Sequence, residues 1–264
     1  MTNVASGENH NSFGSFSATG LALGRVFEGG TALAERVFGS ASPVDLLRAA
    51  SEHFGDQLVL TTAFGLEGSV LVDMIGRHRL PIRIVTLDTG LFFRETLRTW
   101  RRLEERYDLR IEGMSPALSL EAQTERHGDR LWEREPDLCC DLRKLEPLRR
   151  ILSGSQAWIT GVRREQTPER ASTPKVGEDD RFQVTKLAPL ADWPLARVRH
   201  YLKHHEVPYN PMFDDGYPSV GCRPCTTKVA PGEDLRAGRW RGHEKRECGL
   251  HWNRQAPLQA RKLP

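Results

Sequence analysis

Five cysteines in a chain of 264 residues fall into an arrangement that could do chemistry. Cys139 and Cys140 are adjacent, inside Leu138-Cys139-Cys140-Asp141-Leu142-Arg143-Lys144. Cys222 and Cys225 make a C-x-x-C pair in Gly221-Cys222-Arg223-Pro224-Cys225. Cys248 stands apart, in Lys245-Arg246-Glu247-Cys248-Gly249-Leu250-His251. Four thiolates in two pairs suit zinc or an iron–sulfur cluster. A directly adjacent pair points two side chains in different directions from one backbone. That suits the separated irons of a cluster better than one tetrahedral ion. A buried free thiol is the ordinary role for any single cysteine, but two pairs argue against it here. Cys248 follows two cations and precedes a histidine at i+3. Positive charge there, including a protonated histidine, would lower the thiol pKa and favour the nucleophilic thiolate. The expectation is four ligand cysteines and one reactive one.

Cations come next. Lys144 lies four residues after Cys140, one turn away on the same face if 136–152 is one helix. It would then stand near both the cluster and any anionic ligand. Arg163, Arg164 and Arg170 form one basic group, and Arg236, Arg239 and Arg241 another. Arg236 and Arg239 have helical i, i+3 spacing and could grip one oxyanion. Charge runs of this kind are otherwise solvated faces.

These residues need elements to hold them. Ser42-Pro43 is an N-cap followed by proline at the first helical position, and predicts a helix over 44–54 ended by Gly55. Strands are expected at 57–63, 82–87, 109–112, 156–161 and 182–187, alternating with helices at 70–77, 93–107, 118–127, 136–152 and 193–204, the last capped by Asp192. Residues 167–180 read as a mobile loop. This alternation predicts an α/β fold, a parallel twisted sheet flanked by helices. Ligands bind such sheets outside the strand carboxyl ends. The segments 61–69 and Asp88-Thr89-Gly90 sit there, the first with backbone N–H groups and hydroxyls that could cradle an anion. It is not a Walker A loop, since no Gly-Lys-Ser/Thr ends it.

Net charge is +3, from 38 basic and 35 acidic residues, too small for bulk nucleic-acid binding. No apolar run approaches the ~20 residues of a membrane span. The first 30 residues lack the basic and apolar regions of a secretory signal. An odd cysteine count without such a signal favours reduced thiols and a cytoplasmic location. Three segments are expected: a flexible leader over 1–41, an α/β domain over 42–230, and an irregular, mobile C-terminal tail over 231–264 carrying Cys248.

Cys139-Cys140, Cys222-x-x-Cys225 and the Glu247-Cys248-Gly249-Leu250-His251 tail together resemble the assimilatory adenylyl-sulfate and phosphoadenylyl-sulfate reductases, and more closely their iron–sulfur branch. Leu87-Asp88-Thr89-Gly90 and Thr160-Gly161-Val162-Arg163-Arg164 occur in the expected order, and the likeness runs from about Ser42 to Trp252. The resemblance implies an adenine-nucleotide α-hydrolase-like fold with a PP-loop at 61–69. Where the family often has serines, this chain has Thr61, Thr62 and Ala63; Ala63 loses a hydroxyl. The resemblance also implies a [4Fe-4S] cluster on Cys139, Cys140, Cys222 and Cys225, with Cys248 as nucleophile. Substrate contacts are implied from Thr61, Thr62, Phe64, Gly65, Leu66 and Glu67 in the loop, and from Leu87, Asp88, Thr89, Gly90, Gly161 and Arg163 at neighbouring strand ends. Lys144, Arg170, Arg236 and Arg239 resemble positions that hold phosphate and sulfate. The implied reaction is thioredoxin-dependent (or glutaredoxin-dependent) reduction of adenosine 5′-phosphosulfate (APS) to sulfite and AMP by a homo-oligomer, in sulfate assimilation and cysteine biosynthesis. The 3′-phosphorylated substrate (PAPS) is the alternative within the family. Outside it, an iron–sulfur PP-loop enzyme of tRNA thiolation and a zinc-binding nucleotide sensor remain as competing readings.

Overall fold

The computed structural model describes residues 25–245 and 247–251. Residues 1–24 of the expected leader, Arg246, and residues 252–264 of the expected tail lie outside the described residues.

Six strands form one sheet: β1 (Leu58–Thr62), β2 (Arg83–Leu87), β3 (Ile111–Met114), β4 (Ala157–Ile159), β5 (Val176–Asp179) and β6 (Val184–Leu187). Their order is β3-β2-β1-β4-β6-β5, parallel except for β5, which pairs antiparallel with β6. The side-chain period of two feeds both faces. Leu58 and Leu60 of β1 enter one core with Ala157 and Ile159 of β4, while Val59 and Trp158 enter the opposite core. Burial on both faces is why these strands read as continuous apolar runs.

Helices cover the sheet. On the larger core lie α1 (Thr31–Phe38), α2 (Pro43–Phe54), α3 (Leu66–Arg77), α4 (Arg94–Tyr107) and α9 (Leu195–His204). The expected cap of α2 forms, with Ser42 Oγ accepting the Asp45 amide at 3.2 Å. α5 (Leu120–His127), α6 (Leu131–Arg134), α7 (Pro136–Cys140) and α8 (Glu146–Leu152) complete the α-helices among the described residues, α8 packing on the second core through Leu148 and Ile151.

Five expectations need correction. First, the flexible leader expected over 1–41 is folded from residue 25 onward, its 31–38 stretch forming the short helix that the sequence allows there, because Phe27 and Phe38 stack on each other at 5.5 Å and are buried. Second, 136–152 is not one helix: residues 141–145 form a π-helical turn, with the Glu146 amide reaching the Asp141 carbonyl. Pro147 supplies the reason, since its ring excludes the carbonyl four residues back and it has no N–H to donate. Third, the stretch expected as a loop contains β5, an edge strand whose polar Gly177-Glu178-Asp179 hid it from a hydrophobic reading. Fourth, Asp192 does not cap α9; its carboxylate pairs with buried Lys175 at 3.0 Å, and the residue before the helix is Pro194. Fifth, described residues of the expected mobile tail pack back on the domain, burying Trp240 and pairing Lys245 with Asp137 of α7.

Candidate active site

The carboxyl ends of β1, β2 and β4 open into a cavity of about 370 Å³. That volume is in the range of small-ligand sites. Its floor is the loop from β1 into α3, and two close approaches shape it. A Cβ on Gly68 would meet Thr62 Oγ1 at 2.4 Å, and one on Gly161 would meet the Glu67 Cβ at 3.1 Å. Thr62 Oγ1 accepts the Phe64 amide at 3.0 Å, and Thr61 Oγ1 accepts the Trp158 indole N–H at 2.7 Å. Both hydroxyls therefore hold the loop in shape. The anion-binding capacity rests on α3, which starts at Gly65 with no side-chain cap. Its first-turn residues Leu66, Glu67 and Gly68 line the cavity, at the positive end of the helix dipole, where uncapped N–H groups can bind an anion.

The tail closes the opposite side. Glu247 Oε2 accepts from Arg170 at 2.8 Å and from Arg236 at 3.2 Å. Arg181, on the hairpin between β5 and β6, donates to the Gly249 carbonyl at 2.7 Å and the Leu250 carbonyl at 2.8 Å. His251 stacks on Trp158 at 5.4 Å. These contacts place Cys248 on the cavity wall with Lys144 and Arg239. Arg236 and Arg239 do converge, both reaching Ser219 Oγ (3.5 and 3.4 Å), Arg236 from a turn and Arg239 from an isolated β-bridge with Thr226.

Charge at Cys248 is set by tertiary neighbours. Burial pushes its thiol up, but the Lys144 ammonium, the Leu250 amide and Arg239 outweigh that and hold it below the ordinary thiol value. His251 plays no cationic part: burial, then Lys186 and Arg170, drive its pKa well below the usual imidazole value, so the ring is neutral. Lys245 is turned to Asp137. Of the flanking residues expected to activate the thiol, Lys245 and His251 do not supply the charge, and Lys144 does. Burial opposes the charge on Lys144, yet Cys222, Cys140 and Cys248 raise its pKa.

The other four thiols lie close enough to influence one another, and Cys222 among them also lines the cavity. Cys139 is pushed up to about 12, first by burial and then by Cys140, Cys222 and Cys225. Cys225 is pushed to about 11, by burial and then Cys222. Cys222 Sγ lies 3.4 Å from Thr89 Oγ1. Among the described residues, no three His, Cys, Asp or Glu side chains are arranged to hold a single metal ion. Four clustered sulfurs, three of them buried and Cys225 half-buried, fit a polynuclear iron–sulfur centre better than a single ion, and its positive irons would favour their thiolate forms.

Most expected substrate residues line the cavity: Thr61, Thr62, Gly65, Leu66, Glu67, Leu87, Thr89, Lys144, Gly161, Arg163, Arg170, Arg236 and Arg239. Three do not. Phe64 points into the core and stacks on Trp100 at 5.5 Å. Asp88 turns its carboxylate back to accept the Gly90 amide at 3.0 Å, and Gly90 serves that turn with φ 68°. Arg163 lines the wall but is committed to Glu67 at 2.6 Å, Glu165 at 2.8 Å and the Trp193 carbonyl at 3.1 Å. Sequence reasoning missed Arg143, which is buried and donates to the Thr89 carbonyl at 2.6 Å and Gln123 Oε1 at 3.0 Å, tying the β2 loop to the thiol helix. It also missed Arg181 and Glu247. An arginine one residue before Lys144 was a faint signal for the first; nothing local marked Arg181.

Residues 57–228 match the phosphoadenosine phosphosulfate reductase domain family. An adenosine 5′-phosphosulfate reductase of Bacillus velezensis is 49% identical over 209 residues, covering 79% of this chain and 90% of that one. Adenosine 5′-phosphosulfate reductase 1 of Bacillus subtilis is 50% identical with the same coverage. Among solved structures, phosphoadenylyl-sulfate reductase from Candida auris in a phosphate complex is 31% identical with a TM-score of 0.66, over 82% of this chain and 100% of that one. FMN adenylyltransferase from Candida glabrata, 15% identical with a TM-score of 0.51 over 82% of this chain and 69% of that one, shares the fold.

Proposed function

The chain belongs to the phosphoadenosine phosphosulfate reductase family, and on that premise we propose that it reduces APS to sulfite and AMP through a sulfonate on Cys248. The observation that carries this reading is the placement of a low-pKa thiol and two cations on the wall of a cavity floored by a strand–loop–helix anion site.

The Cys248 thiolate attacks the sulfate sulfur. An S–S bond forms, the S–O bond to phosphate breaks, and AMP leaves with the electron pair. Charge spreads over the sulfonyl oxygens and the leaving phosphate oxygen. Lys144 and Arg239 face that charge across the cavity, and first-turn amides of α3 face the phosphate. A dithiol protein, thioredoxin or glutaredoxin, then attacks the Cys248 sulfur and sulfite leaves. The donor's second thiol displaces Cys248 as thiolate, so two electrons come from the dithiol, which ends as a disulfide. Cys139, Cys140, Cys222 and Cys225 would hold a [4Fe-4S] cluster. When bound, that group supplies fixed charge beside Lys144 and the anion site, and no electrons for the step. Free thiols of this kind suit a reducing compartment such as the cytoplasm; among the described residues no helix is long and apolar enough to cross a membrane.

Cys248→Ser is expected to abolish sulfite release while iron and sulfide content stays at the wild-type level. Substantial turnover by that variant overturns the nucleophile assignment. Mixing enzyme with APS alone should leave a sulfonate mass adduct on Cys248 that reduced thioredoxin discharges. Side-by-side kcat/KM values for APS and PAPS on anaerobically purified protein test the substrate, with APS expected to be preferred.

A further inference from the structure

α4 carries an arrangement that the fold does not need. Arg94, Arg98, Arg101 and Arg102 recur at i, i+4, i+7 and i+8, and all four are exposed. The opposite face, Thr96, Thr99 and Leu103, is buried against the core. None of the four arginines has a hydrogen bond or ion pair among the described residues. The acids on the same helix, Glu95, Glu104 and Glu105, are fewer than its five arginines. Glu104 Oε1 accepts the Ile111 amide at 2.8 Å, while Glu95 and Glu105 form no ion pair with the stripe among the described residues.

Part of this charge is costly where it sits, since Arg98 has Arg94, Arg101 and Arg102 three or four residues away. Like charges at i, i+3 and i, i+4 repel, by roughly 0.2–0.5 kcal/mol per pair. Cations in the first turn also oppose the helix dipole. The stripe also continues toward the reaction site. α4 starts two residues after Phe92, which lines the cavity. Arg223, exposed and next to Cys222, has its amide 2.8 Å from the Leu91 carbonyl, which adds a fifth arginine at that end. Exposed Leu97 stands beside the stripe. Arg94 to Arg102 spans about 12 Å at 1.5 Å per residue, well within a protein–protein contact. The chain's net charge is only +3, so this positive face is local and not a general excess.

We infer that the arginine stripe of α4 is a docking surface for an acidic protein that carries the reducing dithiol to Cys248. The inference rests on the functional reading above. Charge complementarity gives the occupant its sign, and the start of the helix two residues after cavity-lining Phe92 gives it its task. Such a surface acts mainly on encounter rate, so its contribution falls steeply with ionic strength.

The test is a triple charge reversal, Arg98→Glu with Arg101→Glu and Arg102→Glu, beside the neutral Arg→Gln triple in case the reversal impairs folding. Both are assayed for sulfite release with a reduced acidic thioredoxin and, separately, with dithiothreitol, which needs no docking surface. For the reversal, kcat/KM for thioredoxin is expected to fall at least tenfold, with a smaller fall for the neutral triple. Rates with dithiothreitol should stay within twofold of wild type. The salt dependence seen for wild type with thioredoxin should flatten in both. An unchanged thioredoxin kcat/KM overturns the proposal. So does an equal loss with both reductants, which would put the arginines' effect in the cavity. A changed sedimentation coefficient with unchanged thioredoxin kinetics overturns it too, in favour of a second copy on this face. If wild-type protein releases no sulfite with either reductant, it is the underlying functional reading that fails.

Discussion

Replacing Glu247 by glutamine removes the charge on which the tail is seated. Its Oε2 accepts from two well-buried guanidiniums, Arg170 and Arg236, whose side chains are 9% and 19% exposed. A hydrogen bond to a charged group contributes about 1.5–3 kcal/mol, and a neutral one about 1. Glutamine keeps an amide oxygen for one or both arginines, so the loss is about 1–2 kcal/mol, or roughly 5–30-fold in how well the tail stays seated. A second effect has the opposite sign. The Glu247 carboxylate repels the Cys248 thiolate and raises its pKa. Removing it makes the thiol more acidic. If seating matters, Glu247→Gln should lower kcat by roughly 5–30-fold without raising KM for APS, while iodoacetamide labels Cys248 faster than in wild type. Glu247→Asp should recover part of kcat. Steady-state sulfite release and timed alkylation measure the two quantities on one preparation. Turnover that stays level or rises alongside faster alkylation would refute the reasoning, because thiol acidity alone would then set the rate.

Three other perturbations follow from the same structure. Lys144→Gln removes the largest influence that lowers the Cys248 pKa, so the midpoint of a pH-dependent alkylation curve should move up, from below the ~8.5 of a free cysteine toward or past it; an unmoved midpoint rejects the pairing. Arg143→Met strips donors from the Thr89 carbonyl, the Leu118 carbonyl and Gln123 and should cost about 2–4 kcal/mol of stability, read from the urea midpoint; a shift below 1 kcal/mol contradicts the tie between the β2 loop and the thiol helix. Buried Asp73 accepts from Tyr107 and Tyr201, each at 2.5 Å, away from the cavity. Either Tyr→Phe change should cost about 1–2 kcal/mol and leave turnover alone. Burial and then the bond to Asp73 raise both phenol pKa values above 10. The phenols' contribution is therefore complete below the unfolded value near 10 and is lost as pH rises through the folded values, so stability should fall in denaturation series above pH ~10.

The division between chain and fold is visible at particular residues. The alternation of apolar runs with amphipathic stretches was enough to expect a parallel α/β sheet, because strands buried on both faces must be apolar along their length. The Ser42-Pro43 cap was legible for the same local reason: it works through backbone groups three residues away. The thiols could be sorted into two pairs and one apart by spacing, and the loop after β1 stood out by its glycines and hydroxyls.

Other features depended on residues far apart in sequence. The π turn at 141–145 required weighing Pro147 against a strongly helical flank. β5 exists because β6 offers it a hydrogen-bonding edge, which its own composition does not announce. The agent that acidifies Cys248 was misplaced for the clearest reason. The sequence set Lys245, Arg246 and His251 beside it, but the fold turns Lys245 to Asp137 and leaves His251 neutral against Trp158. It brings Lys144 from 104 positions away to do the work. Composition and spacing determined which residue types were present and which local conformations they prefer. Pairings of charge, set by distance and burial in three dimensions, were decided by the tertiary structure, because Coulomb interactions follow separation in space and not along the chain.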